Sequence, residues 1–204
     1  MSNFLSFLPL LTAVEGGYQK DPDDSGNYNS LGQLVGTNYG ISAPVYEDYL
    51  NRYPTESDMR NMKKSTADSI YKSLYWDKVK ASQILSQPVA NLLVDFAVNS
   101  GVPTAVKKLQ DLLNYKFSKN LAVDGIIGPL SLNAINSVDS KTLFNEFKEV
   151  RKQFYKNIAV GSQAKFLSGW LKRLEKFVFE KKTLISTGML FIILLIAIIK
   201  KNAR

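Results

Sequence analysis

The sequence predicts a mostly α protein with a small loop and hairpin region near its start and one transmembrane helix at its C-terminal end. Apolar residues recur at helical spacing through most of the chain. Gly, Asn, Asp, Ser and Tyr are concentrated between residues 18 and 45. A run of 17 residues without charge, 183–199, lies between two groups of basic residues near the end.

The first predicted elements are a helix and a loop region. Phe4, Leu8, Leu11 and Val14 recur at helical spacing, and the following Gly-Gly pair is typical of a helix end. Residues 18–45 are then predicted as loops, with a short hairpin around Asn29 to Ile41.

The rest of the soluble part is predicted as a series of helices. One is expected from Glu56 to Lys80, with its apolar residues on one side. Pro88 begins a second, which Gly101 ends, and Pro103 begins a third. Asp124-Gly125 forms a tight turn in this prediction, rather than a direct contact to a ligand. Helices are further expected at roughly 130–137, 140–159 and 163–181.

The uncharged segment 183–199 indicates a membrane span. A helix of 17 residues would be about 26 Å long, near the lower limit for a hydrocarbon core of about 30 Å. Lys181 and Lys182 flank one side, and Lys200, Lys201 and Arg204 the other. The alternative is a buried core helix, but such a helix rarely lacks a polar face. The larger number of basic residues before the span places its N-terminal side in the cytoplasm.

Composition excludes several classes of chemistry. The 204 residues contain no Cys and no His, which excludes disulfides, Ser-His-Asp triads and zinc sites built on His or Cys. We expect no cofactor and no metal, so proton transfer would depend on carboxylates, Lys or Tyr. The net charge of +8 does not indicate nucleic-acid binding, because the excess of basic residues lies after residue 140, next to the apolar tail.

Glu15 is the first candidate for acid–base chemistry. It follows an apolar helix that should be largely buried, and it lies at the C-terminal end of that helix. Burial and the helix dipole both favour the neutral, protonated carboxyl. Glycoside hydrolysis needs such an acid together with a second carboxylate or a positioned water. The alternative is a surface Glu near a helix end.

Several short motifs follow Glu15 in a specific order. They are Glu15-Gly-Gly-Tyr18, the loop Asp21-Pro-Asp-Asp-Ser-Gly26, Thr37-Asn-Tyr-Gly-Ile-Ser42, Tyr71-Lys-Ser-Leu-Tyr-Trp76 and Asp95-Phe-Ala-Val-Asn-Ser-Gly101. This series resembles glycoside hydrolase family 108, the phage and prophage muramidases. Val123-Asp-Gly-Ile-Ile-Gly-Pro129 and, more loosely, Gly169-Trp-Leu-Lys-Arg173 resemble the companion predicted peptidoglycan-binding module.

The resemblance implies a lysozyme-like helical fold and assigns roles to three residues. The motif Glu falls on Glu15 as general acid, the loop Asp on Asp24, and the motif Thr on Thr37. Asp24 would stabilise positive charge on the sugar or activate water, and Thr37 would position that water. Asp21 and Asp23 are the other candidates for the Asp role. Loop capping by Asp21 or Asp24, and a turn position for Thr37, are the structural alternatives.

Two further points concern the cleft that the resemblance implies. The family usually has Gly-Gly-x-Thr soon after the loop Asp, whereas here Asn27 to Gly36 intervenes, an insertion of about eight residues. This insertion affects how Asp24 is positioned relative to Thr37. Tyr18, Tyr39 and Trp76 are the candidates for sugar stacking, with core packing as the alternative for each.

The sequence therefore predicts a peptidoglycan hydrolase, a lysozyme or muramidase of the endolysin type. Three regions are expected: a catalytic region at 1–100, a peptidoglycan-binding helical module at 101–181 and the transmembrane helix at 183–199. Its expected partners are peptidoglycan glycan strands and a lipid membrane, with a holin or phage-particle proteins as further candidates. The main alternative is a catalytically silent wall-docking or structural component of a phage tail or phage-derived particle.

Overall fold

The computed structural model describes residues 1–12 and 17–180. Within these ranges the chain forms nine α-helices and no β-strand. The helices are α1 (Leu8–Thr12), α2 (Ala43–Leu50), α3 (Glu56–Arg60), α4 (Lys64–Tyr71), α5 (Gln87–Ser100), α6 (Val102–Phe117), α7 (Pro129–Ser137), α8 (Ser140–Ile158) and α9 (Leu167–Glu175). Short 3₁₀ turns lie at Phe4–Ser6, Ser25–Asn27, Ala81–Gln83 and Gly161–Phe166, and a π-helical turn at Lys72–Trp76. This mostly helical architecture is consistent with the lysozyme-like fold that the sequence predicts.

Helix α5 is the centre of the core. Residues 89–97 of this helix are all buried, and helices α6 and α8 pack against it. One continuous apolar core runs from Phe7 to Phe177 and includes side chains from nearly every element between them. The N-terminus is fixed to this core, because the backbone N–H and the hydroxyl of Ser2 both donate to the carbonyl of Ile84.

An ion cluster joins α5 to the last two helices. The Asp95 carboxylate on α5 is fully buried and accepts hydrogen bonds from Arg151 of α8 at 2.5 Å and from Arg173 of α9 at 2.9 Å. Arg151 is also fully buried, and its guanidinium lies 5.2 Å from the ring centroids of Phe96 and Tyr155. A buried charge is tolerated only when it is paired and hydrogen-bonded, so this cluster fixes the relative positions of the three helices.

Most of the predicted helices in the second half of the chain are present. Pro88 lies in the first turn of α5, and Gly101, with φ of +82°, ends it. The prediction of one continuous helix from Glu56 to Lys80 is wrong. The structure has α3, α4 and the π-helical turn there, with a break at residues 61–63. The predicted helix at 163–181 is shorter and consists of a 3₁₀ turn followed by α9. The predicted hairpin is reduced to isolated antiparallel bridges.

The predicted transmembrane segment 183–199 lies outside the described residues. Among residues that the structure does describe, no helix combines the length and the apolar character that a bilayer crossing requires.

Candidate active site

Asp24 lies at the start of a single 3₁₀ turn in an exposed loop. Its side chain caps this turn, with Oδ1 accepting a hydrogen bond of 2.9 Å from the backbone N–H of Gly26. Its other oxygen, Oδ2, accepts a hydrogen bond of 3.0 Å from Nε2 of Gln19. Two neutral donors therefore orient the carboxylate, and an ionised carboxylate still has further lone pairs available for a water or a ligand.

Thr37 lies next to this loop. Its backbone pairs with that of Gln19 in both directions, each hydrogen bond being 2.9 Å long. The hydroxyl of Thr37 donates to the carbonyl of Gly26 through a long hydrogen bond of 3.5 Å. Asp24 and Thr37 thus contact the two backbone groups of the same residue, Gly26.

The insertion Asn27 to Gly36 does not separate the two residues, because its ends meet. The carbonyl of Asn27 accepts hydrogen bonds from the backbone N–H groups of Val35 at 2.8 Å and Gly36 at 3.0 Å. The body of the loop packs elsewhere: Asn29 donates to the carbonyl of Pro54, and the N–H of Ser30 donates to Glu47 on α2.

Tyr18 lies beside the strand-like segment that carries Thr37. Its hydroxyl donates to the carbonyl of Val35 at 3.0 Å, and the guanidinium of Arg60 lies 4.1 Å from its ring centroid. The ring reaches this position only because residue 36 is glycine: a Cβ there would lie 2.6 Å from Cε2 of Tyr18. Arg60 covers one face of the ring, so at most the other face is available to a sugar.

Tyr39 occupies a strained position in a tight turn. The backbones of Asn38 and Ile41 pair across Tyr39 and Gly40, and both central residues have positive φ, +49° and +70°. A positive φ is unusual for a bulky residue and is tolerated when the surroundings impose it. Here Tyr71 donates its hydroxyl to the carbonyl of Tyr39 at 3.1 Å. The ring of Tyr39 is half-buried, which leaves part of it accessible to a ligand.

Two family models match successive parts of the chain. Residues 8–101 match the family model of glycosyl hydrolase 108. Residues 104–175 match a model described as a predicted peptidoglycan domain.

The solved structure of Brucella abortus SagA is similar to this chain along most of its length. The TM-score is 0.71 at 29% sequence identity, over 85% of this chain and 90% of that one. No curated protein matches the sequence. The glycosyl hydrolase 108 region, the peptidoglycan domain and this structural likeness together identify the chain as a peptidoglycan hydrolase.

Glu15, the residue on which the family's general acid falls, lies outside the described residues, between Thr12 and Gly17. Glu56, which the structure does describe in the glycosyl hydrolase 108 region, pairs with Lys20 and Arg60. Hydrogen bonds from Lys20 and Arg60 lower the pKa of Glu56 to about 2. Glu56 is therefore ionised at neutral pH and cannot replace Glu15 as a proton donor.

Trp76 corrects one part of the prediction. Its side chain is fully buried, with Phe4 and Phe7 at centroid distances of 5.5 and 5.9 Å, and its Nε1–H donates to Ser82. Neither face of the ring can stack on a sugar. Trp76 is a core residue of the glycosyl hydrolase 108 region rather than a substrate contact.

The remaining motif residues have structural roles. Asp21 accepts the N–H of Asp23 at 2.9 Å, which makes it a loop cap. Asp124 accepts from Gln110 and from the N–H of Ile126, so it stabilises the predicted turn in the peptidoglycan domain. These hydrogen bonds lower the pKa of Asp124, and the one from Gln110 has the largest effect.

Sequence analysis missed two residues that organise the site, Gln19 and Asn27. Their side-chain amides pair with each other, Gln19 Nε2 donating to Asn27 Oδ1 at 3.0 Å and Asn27 Nδ2 donating to Gln19 Oε1 at 2.8 Å. Asn27 is fully buried. No spacing pattern predicts such a pair; only the proximity of both residues to the motif could have drawn attention to them.

The candidate site containing Asp24 and Thr37 does not coincide with a large groove on the molecule. A groove of about 930 Å³ lies between the N-terminus, the start of α5, the end of α7 and residues 176–180. Neither Asp24 nor Thr37 lines it. Within residues 1–12 and 17–180 there is also no cluster of three acidic side chains that could hold a metal ion.

Proposed function

We propose that this peptidoglycan hydrolase is an N-acetylmuramidase that uses Glu15, Asp24 and Thr37. The observation that carries the proposal is the contact of Asp24 and Thr37 with opposite backbone groups of Gly26. This arrangement holds a carboxylate and a hydroxyl on the same residue, Gly26. A carboxylate and a hydroxyl are suitable groups for holding one water molecule.

The chemistry needs one proton donor and one activated water. Glu15 donates its proton to the glycosidic oxygen as the bond from the anomeric carbon to that oxygen breaks. Water adds to the same carbon, and its proton passes to Asp24. The hydroxyl hydrogen of Thr37 is engaged by the carbonyl of Gly26, so its oxygen is free to accept a hydrogen bond from the water. This route gives inversion at the anomeric carbon.

The first test is the substitution Glu15→Gln. An amide fills the same volume but donates no acidic proton, so we expect a loss of at least about 100-fold in the release of reducing ends from purified sacculi. Glu149→Gln is the matched control, since Glu149 is exposed on α8 and its ion pair with Lys152 is long, at 3.8 Å. Wild-type activity in E15Q would refute the assignment of Glu15.

Two product analyses test the bond and its stereochemistry. A muramidase leaves N-acetylmuramic acid at the new reducing end, which borohydride reduction and mass spectrometry identify; N-acetylglucosamine at that end would refute the muramidase specificity. NMR of the first anomer formed is expected to show inversion. Retention would mean that Asp24 acts as a nucleophile or as an electrostatic stabiliser instead.

We further propose that segment 183–199 anchors the enzyme in a membrane. The support comes from sequence: 17 uncharged residues lie between basic flanks. The basic bias places the catalytic region in the cytoplasm until a holin or delivery from a phage particle gives it access to the wall. Full-length protein is expected to remain in carbonate-washed membranes, and a variant lacking residues 183–204 to be released. Digestion of the catalytic region by protease in intact spheroplasts would contradict the proposed orientation.

A further inference from the structure

The amide pair of Gln19 and Asn27 connects the two halves of the candidate site. Gln19 belongs to the segment that pairs with Thr37 through its backbone. Its side chain reaches the other way, to Asp24 and to Asn27. Gln19, like Gly26, therefore contacts both Thr37 and Asp24 directly, but it reaches Thr37 through its backbone and Asp24 through its side chain.

All the hydrogen-bonding groups of this side chain are used. Nε2 donates to Asp24 and to Asn27, and Oε1 accepts from Asn27 Nδ2 at 2.8 Å and from the N–H of Asp21 at 2.9 Å. A side chain that is saturated in this way has one favourable orientation, because any rotation leaves part-buried polar groups unpaired.

Asn27 extends the same network into the insertion. Its side chain is held by Gln19 and by the carbonyl of Asp21, and its backbone carbonyl accepts the two N–H groups that close the insertion. The buried amide of Asn27 therefore connects three parts of the chain: the Asp24 loop, Gln19 and the base of the insertion.

We propose that Gln19, supported by Asn27, is a positioning residue that holds the Asp24 carboxylate against Thr37. This inference rests on the proposed function, in which Asp24 and Thr37 share a water. The pair also explains how the chain accommodates its insertion. Residues 27–36 lie between Gly26 and Thr37 in the sequence, yet Thr37 still contacts Gly26 in the Asp24 loop.

Gln19→Glu is the sharpest test. The substitution keeps the shape of the side chain and the acceptor for Asn27 and Asp21, but it places a carboxylate oxygen where a donor faced Asp24. We expect kcat on soluble peptidoglycan fragments to fall at least about tenfold with KM within about twofold. Part of the loss should be recovered on acidification, because protonating one of the two facing carboxylates restores a donor between them.

Gln19→Met, which removes every side-chain hydrogen bond at similar volume, is the second variant in case Gln19→Glu disturbs the fold of the loop. We expect its kcat to fall without recovery on acidification. Gln33→Glu and Gln33→Met are the matched controls, since Gln33 is exposed in the insertion and accepts from Asn29 rather than from the Asp24 network. We expect both controls to keep wild-type kcat within about twofold.

A readout independent of catalysis separates this proposal from the proposed function. The amide proton of Gly26 reports the orientation of Asp24, because it donates to Oδ1. Its NMR chemical shift is expected to move in both Gln19 variants and to stay in both Gln33 variants. An unchanged Gly26 shift, or an unchanged kcat, in the Gln19 variants would overturn the positioning role. Full activity in Asp24→Asn would instead refute the proposed function.

Discussion

Asp24 and Asp95 both belong to motifs of the glycosyl hydrolase 108 region, yet their surroundings are opposite. Asp24 is exposed, and within the described part of the chain its two oxygens accept hydrogen bonds from neutral groups, the N–H of Gly26 and the amide of Gln19. Asp95 is fully buried, and two guanidinium groups, of Arg151 and Arg173, bind it directly. Motif membership alone does not identify a structural carboxylate; burial and the charge of the partners do.

The comparison also shows how the two matched regions depend on each other. Asp95 precedes residue 101, whereas Arg151 and Arg173 lie in the peptidoglycan domain. Removing either partner of a buried ion pair leaves an uncompensated charge in the core. The helices of the peptidoglycan domain therefore contribute to the fold that supports the catalytic region, in addition to any contact they make with the wall.

The largest expected effect is on stability, at Asp95. Asp95→Ala leaves Arg151 buried without its carboxylate, and we expect the free energy of unfolding to fall by about 3–5 kcal/mol. Urea denaturation measures this change. Asp77→Ala is the control, because the exposed pair of Asp77 with Lys72 contributes at most about 1 kcal/mol. A loss at Asp95 no larger than at Asp77 would contradict the structural role.

A substitution at Asp24 should have the opposite effect, with little change in stability and a large loss of activity. Asp24→Asn keeps a side-chain oxygen for the N–H of Gly26 and preserves a good capping residue, so the free energy of unfolding should change by less than about 1 kcal/mol. The release of reducing ends should fall at least about 100-fold, because the amide cannot take a proton from water. If D24N is strongly unfolded, or if it is fully active, the contrast with Asp95 fails.

The smallest effect is expected at Glu56, which pairs with Lys20 and Arg60 at the surface. Its pKa is lowered from 4.5 to about 2, so its ionised form stabilises the fold above pH 4.5, and this contribution is lost as the pH falls from about 4.5 to about 2. Glu56→Gln should lower Tm slightly at pH 7 and not at all near pH 2. Because both partners are exposed, 0.5 M salt should remove most of the difference; a difference that persists in salt would contradict this interpretation.

Local signals predicted much of the helical architecture. A proline in the first turn and a glycine after the last residue delimit α5 well, since both act through the backbone. The break between α3 and α4 was missed because the apolar pattern continues across residues 61–63. The capping box formed by Thr55 and Asp58 begins α3, but the sequence contains no equally strong signal for its early end.

The resemblance to the family points to single residues of the candidate site, but it does not reveal partners that are distant in sequence. It names Asp24 and Thr37, and the structure shows that both contact Gly26. Trp76 is a candidate for sugar stacking or for core packing in the sequence, and only its packing against Phe4 and Phe7 decides between them. The partners of Asp95 are 56 and 78 residues away, which no local pattern reveals.

The closed base of the insertion has a practical consequence. Since the hydrogen bonds of Asn27 with Val35 and Gly36 hold the two ends together, the tip of the loop can change without moving Asp24 or Thr37. Leu31 lies at that tip and is 56% exposed. Because the chain contains no cysteine, Leu31→Cys would create a unique thiol, and a fluorophore could be attached there without disturbing the contacts of Asp24 and Thr37.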